Sequence, residues 1–186
     1  MIKNKDRSDW IGASDTSFVM GNYETPTFKR WWMEKLGWNN DFKTKPMLAG
    51  SFYEHRIIDA VIPHTEKDKQ ILIPEYRLRV NLDASDNDTI YEIKTYKYEN
   101  GYKVSKSHFN QVQAQMWAAK YNRGVIIAYG LEKDDYTNYF NDIDADRVCK
   151  HEIKPDPDFI RLYLPRLEYL KKCMDIGKMP KSGDLI

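Results

Sequence analysis

The sequence predicts an α/β fold, and three observations carry the prediction. Helical patterning fills roughly the first third, a pair of alternating strands follows, and then a strand, a helix and a second strand occur in succession.

Ser14 can cap a short helix running to about Met20, because a serine hydroxyl accepts from the unpaired N–H groups of a first turn. Pro26 can open a second helix to about Leu36, since the N–H it lacks has no partner at that position. A third runs from Met47 to about Val61. From about Gln70 to Thr95 the pattern turns strand-like: Tyr76, Leu78, Val80 and Leu82 alternate with Arg77, Arg79, Asn81 and Asp83. A turn over Ser85 to Asp88 leads into TIYEIKTY, so the two runs read as a hairpin. After a polar loop through Asn100 and Gly101, Ser107 to Lys120 is helical, with Phe109, Val112, Met116 and Ala119 on one face. GVIIAYG then reads as a buried strand, and Tyr136 to Ile143 as another. From Asp156 to about Ile176, Phe159, Tyr163, Leu167 and Leu170 recur at helical spacing, and Pro165 predicts a kink there.

A chain of 186 residues suits one well-buried core, and residues 1–186 are expected to form a single domain. It contains no internal repeat, low-complexity tract or linker-like stretch. No apolar run approaches the roughly 18 residues needed to span a bilayer, and the charged start MIKNKDRSDW lacks the apolar stretch of a secretory signal. A soluble, cytoplasmic protein without membrane attachment is the expectation. Cys149 and Cys173 have neither zinc-site spacing nor the density of a disulfide framework, so both are read as reduced thiols. The formal net charge is only +1, so any hold on DNA must come from local clusters of Lys and Arg.

Phosphodiester hydrolysis near neutral pH calls for a divalent metal, and Mg²⁺ favours a few carboxylates with backbone oxygen and water. Asp83 ends one strand of the hairpin, while Glu92 and Lys94 stand at i and i+2 of the next and share a face. Asp83, Glu92 and the Ile93 carbonyl could hold metal, with Lys94 orienting the attacking water and stabilising developing negative charge. A lone Glu-x-Lys is more often a solvent-facing ion pair. Its company raises it. Glu54 sits on a helix among Met47, Ile57, Ile58 and Val61, which points its carboxylate inward, where it needs a metal or another partner.

Gln111, Gln113 and Gln115 make a buried helix more polar than packing requires, and periodicity does not choose which of them faces a site. Ser14 at a helix start, with Arg7 upstream, could receive a phosphate; an ordinary N-cap also explains the serine. His55 and His108 invite proton-carrying roles, but metal-assisted hydrolysis does not need a histidine base, and both are left outside the site.

Together these segments resemble the YqaJ-type viral recombinase family and its relative phage lambda exonuclease, in order over roughly the first two-thirds of the chain. RSDWIGASD resembles the family's R-x-x-x-x-x-x-S motif, with Arg7 and Ser14 as the grip on a terminal 5′-phosphate. AGSFYEHRI is similar to the G-x-x-x-E helix, with Glu54 as its acid. Asp83 through Glu92-Ile93-Lys94 resembles the metal-binding hairpin, and HFNQVQAQMW the Q-x-Q helix, which selects Gln111 as the active-site glutamine. Leu82 departs from the pattern, standing where many members have Pro, and the chain is shorter than lambda exonuclease.

The resemblance implies a PD-(D/E)XK, restriction-endonuclease-like core with a central mixed sheet flanked by helices. It also implies two Mg²⁺ or Mn²⁺ ions, 5′-to-3′ degradation of one strand of double-stranded DNA, and 3′ overhangs for a single-strand annealing recombinase. A homotrimer is implied as well. Two other readings are an endonuclease on the same core and a DNA-binding protein that does not cut.

Overall fold

The computed structural model describes residues 8–38 and 44–184. A short strand β1 (Ile11–Gly12) leads through a 3-10 turn, Ala13–Asp15, into α1 (Thr16–Val19) and then α2 (Pro26–Lys35). The Thr25 hydroxyl caps α2 by accepting from the Phe28 N–H at 3.2 Å, and Pro26 follows in the first turn, as its fixed φ favours. Thr44 caps α3 (Lys45–Val61) in the same way. Next come β2 (Glu66–Ile73), β3 (Leu78–Ser85) and β4 (Thr89–Lys97), then α4 (Lys106–Ala119), β5 (Arg123–Leu131), β6 (Val148–Ile153) and α5 (Pro157–Asp175).

The six strands form one mixed sheet in the order β1-β3-β4-β5-β6, with β2 also paired to β3. β4 and β5 are parallel and joined by α4, while β3–β4 and β5–β6 are antiparallel, as the expected hairpin and strand–helix–strand unit require. The antiparallel β2 takes one edge of β3 along most of its length. The other edge is shared: β1 pairs at Leu78 and Arg79, and β4 at Ala84 and Ser85. Between those two contacts this edge carries no strand, and the candidate site lies there.

Apolar side chains pack on both faces. On one, Leu78, Val80, Ile90 and Ile126 meet residues of α1, α2, α4 and α5; on the other, Ile93, Ile127 and Tyr129 meet Tyr53, Ile57 and Ile58 of α3. Gly124 lets α4 sit down on β5, since a Cβ there would lie 2.4 Å from Val112 Cγ1. No helix among the described residues is long and apolar enough to cross a membrane.

Two local expectations are corrected. Residues 136–143 form no strand. They follow a 3-10 turn, Asp134–Tyr136, in a loop tied by polar side chains, and the last strand is β6 instead. In that loop Asp135 accepts from Tyr53 Oη at 3.0 Å, Asn141 Nδ2 at 2.9 Å and Arg147 at 2.6 Å, while Tyr139 stacks on Phe52. As expected, a single helix, α5, carries Pro165 in its interior, with its face of Phe159, Tyr163, Leu167 and Leu170 buried. Finally, Ser14 caps no helix: it is exposed within the 3-10 turn, and Asp15 accepts the Gly12 N–H at 2.8 Å.

Candidate active site

The β3–β4 ladder consists of Ala84 opposite Tyr91 and Ser85 opposite Ile90, next to the turn where Asp86 N–H donates to the Thr89 carbonyl. One step further that register sets Asp83 across from Glu92. There the backbone ladder stops, and the Asp83 carboxylate accepts the Ile93 N–H at 2.7 Å. N–H and C=O of one strand residue point to the same edge, so the Ile93 carbonyl also faces Asp83.

α4 lies over this gap from one side. The Glu92 carboxylate is 3% exposed, and both of its oxygens are held. Oε1 accepts from Lys94 Nζ at 2.5 Å and from Gln111 Nε2 at 2.6 Å; Oε2 accepts from Gln115 Nε2 at 2.5 Å. Lys94 Nζ also donates to Gln111 Oε1 at 3.1 Å, which closes a three-membered ring of hydrogen bonds. Gln115 Nε2 further reaches the Asn81 carbonyl at 3.2 Å, on the strand-free edge of β3.

α3 approaches from the opposite face. A Cβ on Gly50 would lie 3.2 Å from Thr95 Oγ1 of β4, so the glycine permits a close approach, and Glu54 follows one turn later. Burial pushes the Glu54 carboxyl up, helped by the charge of Glu92 and opposed by His55 and Lys94. Burial also pushes Asp83 well above the usual carboxylate range, with Glu92 and Glu54 adding to the effect. For Lys94, burial favours loss of the proton, but the Glu92 charge and hydrogen bond outweigh it and the ammonium is held above its ordinary value.

The structure therefore joins Glu92, Lys94 and Gln111 by direct hydrogen bonds, holds Asp83 on the intervening Ile93 N–H, and brings Glu54 within their electrostatic reach. Ser14 is exposed, in a turn that packs against α4. Arg7 lies outside the described residues. The other two glutamines differ in role. Gln113 ties down the segment before α5, donating to the Lys154 carbonyl and accepting the Asp156 N–H, each at 2.7 Å. Gln115, which periodicity left open and the resemblance did not select, stands four positions from Gln111 and so shares its helix face.

Two further groups border the site. Tyr102 Oη and His108 Nδ1 are 2.9 Å apart; burial pushes the Tyr102 hydroxyl up to about 12, and burial with the charge of Lys94 pushes the His108 imidazole down. On the α3 side, His55 Nε2 lies 3.1 Å from Asp68 Oδ1.

No protein-family profile matches this sequence, and no curated protein matches it at a significant level. Solved structures do. An alkaline exonuclease, LHK-Exo, from Laribacter hongkongensis superposes with a TM-score of 0.71 at 15% identity, covering 92% of this chain and 90% of that one. The same enzyme in complex with dAMP gives 0.70 at 15% identity and the same coverage. A phage-related exonuclease from Haemophilus somnus 129PT gives 0.68 at 16% identity, covering 90% of this chain and 94% of that one. The described residues thus form a six-stranded mixed α/β structure with the fold of these exonucleases, the architecture that the chain's resemblance to the YqaJ and lambda exonuclease family implies.

Proposed function

We propose that this protein is a metal-dependent deoxyribonuclease that degrades one strand of double-stranded DNA from its 5′ end and leaves 3′ overhangs. The observation that carries the reading is the gap between β3 and β4, where Asp83, Glu92, the Ile93 carbonyl edge and the clamped Lys94 converge. The donor set fits Mg²⁺ or Mn²⁺. It consists of hard oxygens, and the carboxyls of Asp83 and Glu54 are crowded by like charge that a divalent ion would relieve.

Asp83, Glu92 and the Ile93 carbonyl would hold the ion, with Glu54 completing a two-ion site. When bound, the metal supplies Lewis-acid charge to the phosphate and lowers the pKa of water. Lys94 stays protonated and directs its ammonium at the attacking water and the developing negative charge. Gln111 fixes Lys94 and Glu92 relative to each other, and Gln115 holds the far oxygen of Glu92, so the carboxylate is preset before substrate arrives. Ser14 and Arg7 are assigned to the terminal 5′-phosphate, and the 3′-tailed product suits a single-strand annealing protein as the next partner. Trimer formation, as the family resemblance implies, would place several such sites around one duplex.

Digestion of linear duplex, with and without a 5′-phosphate, beside supercoiled plasmid tests the reading. Loss of linear DNA from 5′ ends, faster with the phosphate and with the plasmid intact, is expected. Linearised plasmid would instead make the protein an endonuclease, and binding to DNA without cutting any of it would leave a DNA-binding protein.

A further inference from the structure

The parallel strands β4 and β5 end side by side, Lys97 opposite Leu131, and the loops that leave them carry opposite charge. Ligands of open α/β sheets bind beyond such carboxyl ends, so these loops govern what can approach. Residues 97–106 hold three lysines against one acid, Glu99. Residues 132–147 hold six acids against Lys133 and Arg147, and Arg147 is taken by the buried Asp135 at 2.6 Å. The loops also part to opposite faces of the sheet. The acidic one is fixed over α3, where Arg56 donates to the Tyr139 and Phe140 carbonyls at 2.5 and 3.1 Å. The basic one covers the α4 face, on which Glu92 and Lys94 meet Gln111: the Tyr102 ring lies 5.3 Å from that of Tyr96 and 6.0 Å from that of His108.

The packing of the basic loop shows what it is fitted to hold. A Cβ on Gly130, near the end of β5, would lie 2.4 Å from Tyr98 Cδ2 and 3.2 Å from Tyr96 Cζ, so the bare glycine lets both rings rest against the strand. Tyr98 nevertheless stays 43% exposed, which makes it a ring supported from below and open to solvent above. Such a ring stacks on an unpaired base, whatever the base is. Lys103 and Lys106 are exposed on either side of the entry to α4, where the Ser105 hydroxyl caps the helix by accepting the His108 N–H at 3.2 Å. Cations for phosphates beside a ring for bases make a binding surface for a single strand of nucleic acid. With a net charge of only +1 on the whole chain, attraction of a polyanion has to be local, and the acids of residues 132–147 repel it from the α3 side.

We propose that Tyr98, Lys103 and Lys106 form a track for an unpaired DNA strand beside the Asp83–Lys94 site, with Tyr98 stacking on a base and the two lysines meeting phosphates. That this strand is the one being cut rests on the nuclease reading; the track itself does not. The full chain is titrated in EDTA into fluorescein-labelled oligothymidylate, an abasic strand of the same length and a blunt duplex, and fluorescence anisotropy is read at several salt concentrations. Cleavage of linear duplex in Mg²⁺ is followed separately.

Lys103→Gln and Lys106→Gln should each weaken oligothymidylate binding and lower its log–log salt slope by about 0.7, whereas Lys133→Gln, on the acidic loop, should leave both unchanged. Tyr98→Ala should weaken oligothymidylate binding about tenfold and leave the abasic strand and the duplex at wild-type affinity, and Tyr98→Phe should bind as wild type. The track is overturned if wild type does not bind oligothymidylate, if Lys133→Gln costs as much as the other two lysines, or if the Tyr98→Ala loss is the same on the abasic strand or the duplex. Should Tyr98→Ala fail to fold, the exposed lysines still decide. Each of those results leaves the nuclease reading standing, provided that wild type cuts linear duplex in Mg²⁺. A strand held through these residues by a protein that cuts no DNA in Mg²⁺ keeps the track and ends the nuclease reading.

Discussion

The two edges of β4 are built in opposite ways. Toward β5, backbone pairing runs in register from Thr89 opposite Arg123 to Lys97 opposite Leu131. Toward β3 the ladder ends at Ala84 and Tyr91, and one carboxylate, that of Asp83, takes over as acceptor for the Ile93 N–H. β5 is buried on both faces, with Ile126, Ile127, Ala128 and Tyr129 fully covered, so that edge contributes apolar burial and satisfied backbone to stability. The other edge concentrates like charge out of water, which opposes folding unless a cation joins it. One strand thus divides the work: the β5 side anchors it, and the β3 side holds the groups that can bind and act. Substitutions on the two sides should therefore separate stability from activity.

The largest effect is expected at Lys94. Lys94→Ala should cut the single-turnover cleavage rate per folded molecule by about 10²–10³-fold, as loss of one electrostatic contact to developing charge does, while DNA binding stays near wild type and the melt falls because Glu92 loses its buried cation. Unchanged cleavage would remove Lys94 from the site. On the anchored side, Gly124→Ala forces a methyl toward Val112 and should cost about 1–3 kcal/mol, read as a lower denaturation midpoint with unchanged cleavage per folded molecule. Gln113→Ala should cost about 1–2 kcal/mol by stranding the Lys154 carbonyl and the Asp156 N–H, again without a specific effect on cleavage. A larger loss of activity than of stability at Gln113 would blur the division.

The smallest effect has the opposite sign. In EDTA, Asp83→Asn should stabilise the fold by about 1 kcal/mol near neutral pH, or about 2–4 °C in Tm, by removing a crowded carboxylate while keeping an acceptor for Ile93. The folded-state pKa of Asp83 is raised, so its protonated form adds stability that is fully present below the unfolded carboxylate value and lost as pH rises through the folded one. The Tm gain from Asp83→Asn should accordingly grow as pH rises from about 4, the unfolded carboxylate value, through the raised folded one. A gain that shrinks over that range would mean that Asp83 is not crowded by its neighbours.

The hairpin, α2, α3, α4 and β5 were legible in the sequence because each combines a clear hydrophobic period with a matching start or stop residue, as at Thr25–Pro26 and Gly124. β6 was not. Its sequence VCKHEI lies half-exposed at the sheet edge, so alternation is faint, whereas the aromatic residues of 136–143 imitate a strand although only Tyr136 and Tyr139 pack in the cluster with α3 and Phe140 is exposed. The Asp83, Glu92 and Lys94 set was legible because hairpin register follows from the turn. Gln115 and the His55–Asp68 pair were not. Selecting Gln115 requires knowing which face of α4 meets Glu92, and joining His55 to Asp68 depends on β2 lying beside β3, a long-range pairing that no local pattern encodes.

The central claim is that Asp83 and its neighbours form a metal-dependent phosphodiester-cleaving site. It is tested most directly by incubating end-labelled linear duplex DNA with wild type and Asp83→Ala, each in Mg²⁺ and in EDTA. The account predicts shortening of the labelled strand by wild type in Mg²⁺ alone, with neither EDTA nor the folded variant supporting it. Cleavage that persists in EDTA or in Asp83→Ala, or intact DNA in all four reactions, would contradict it.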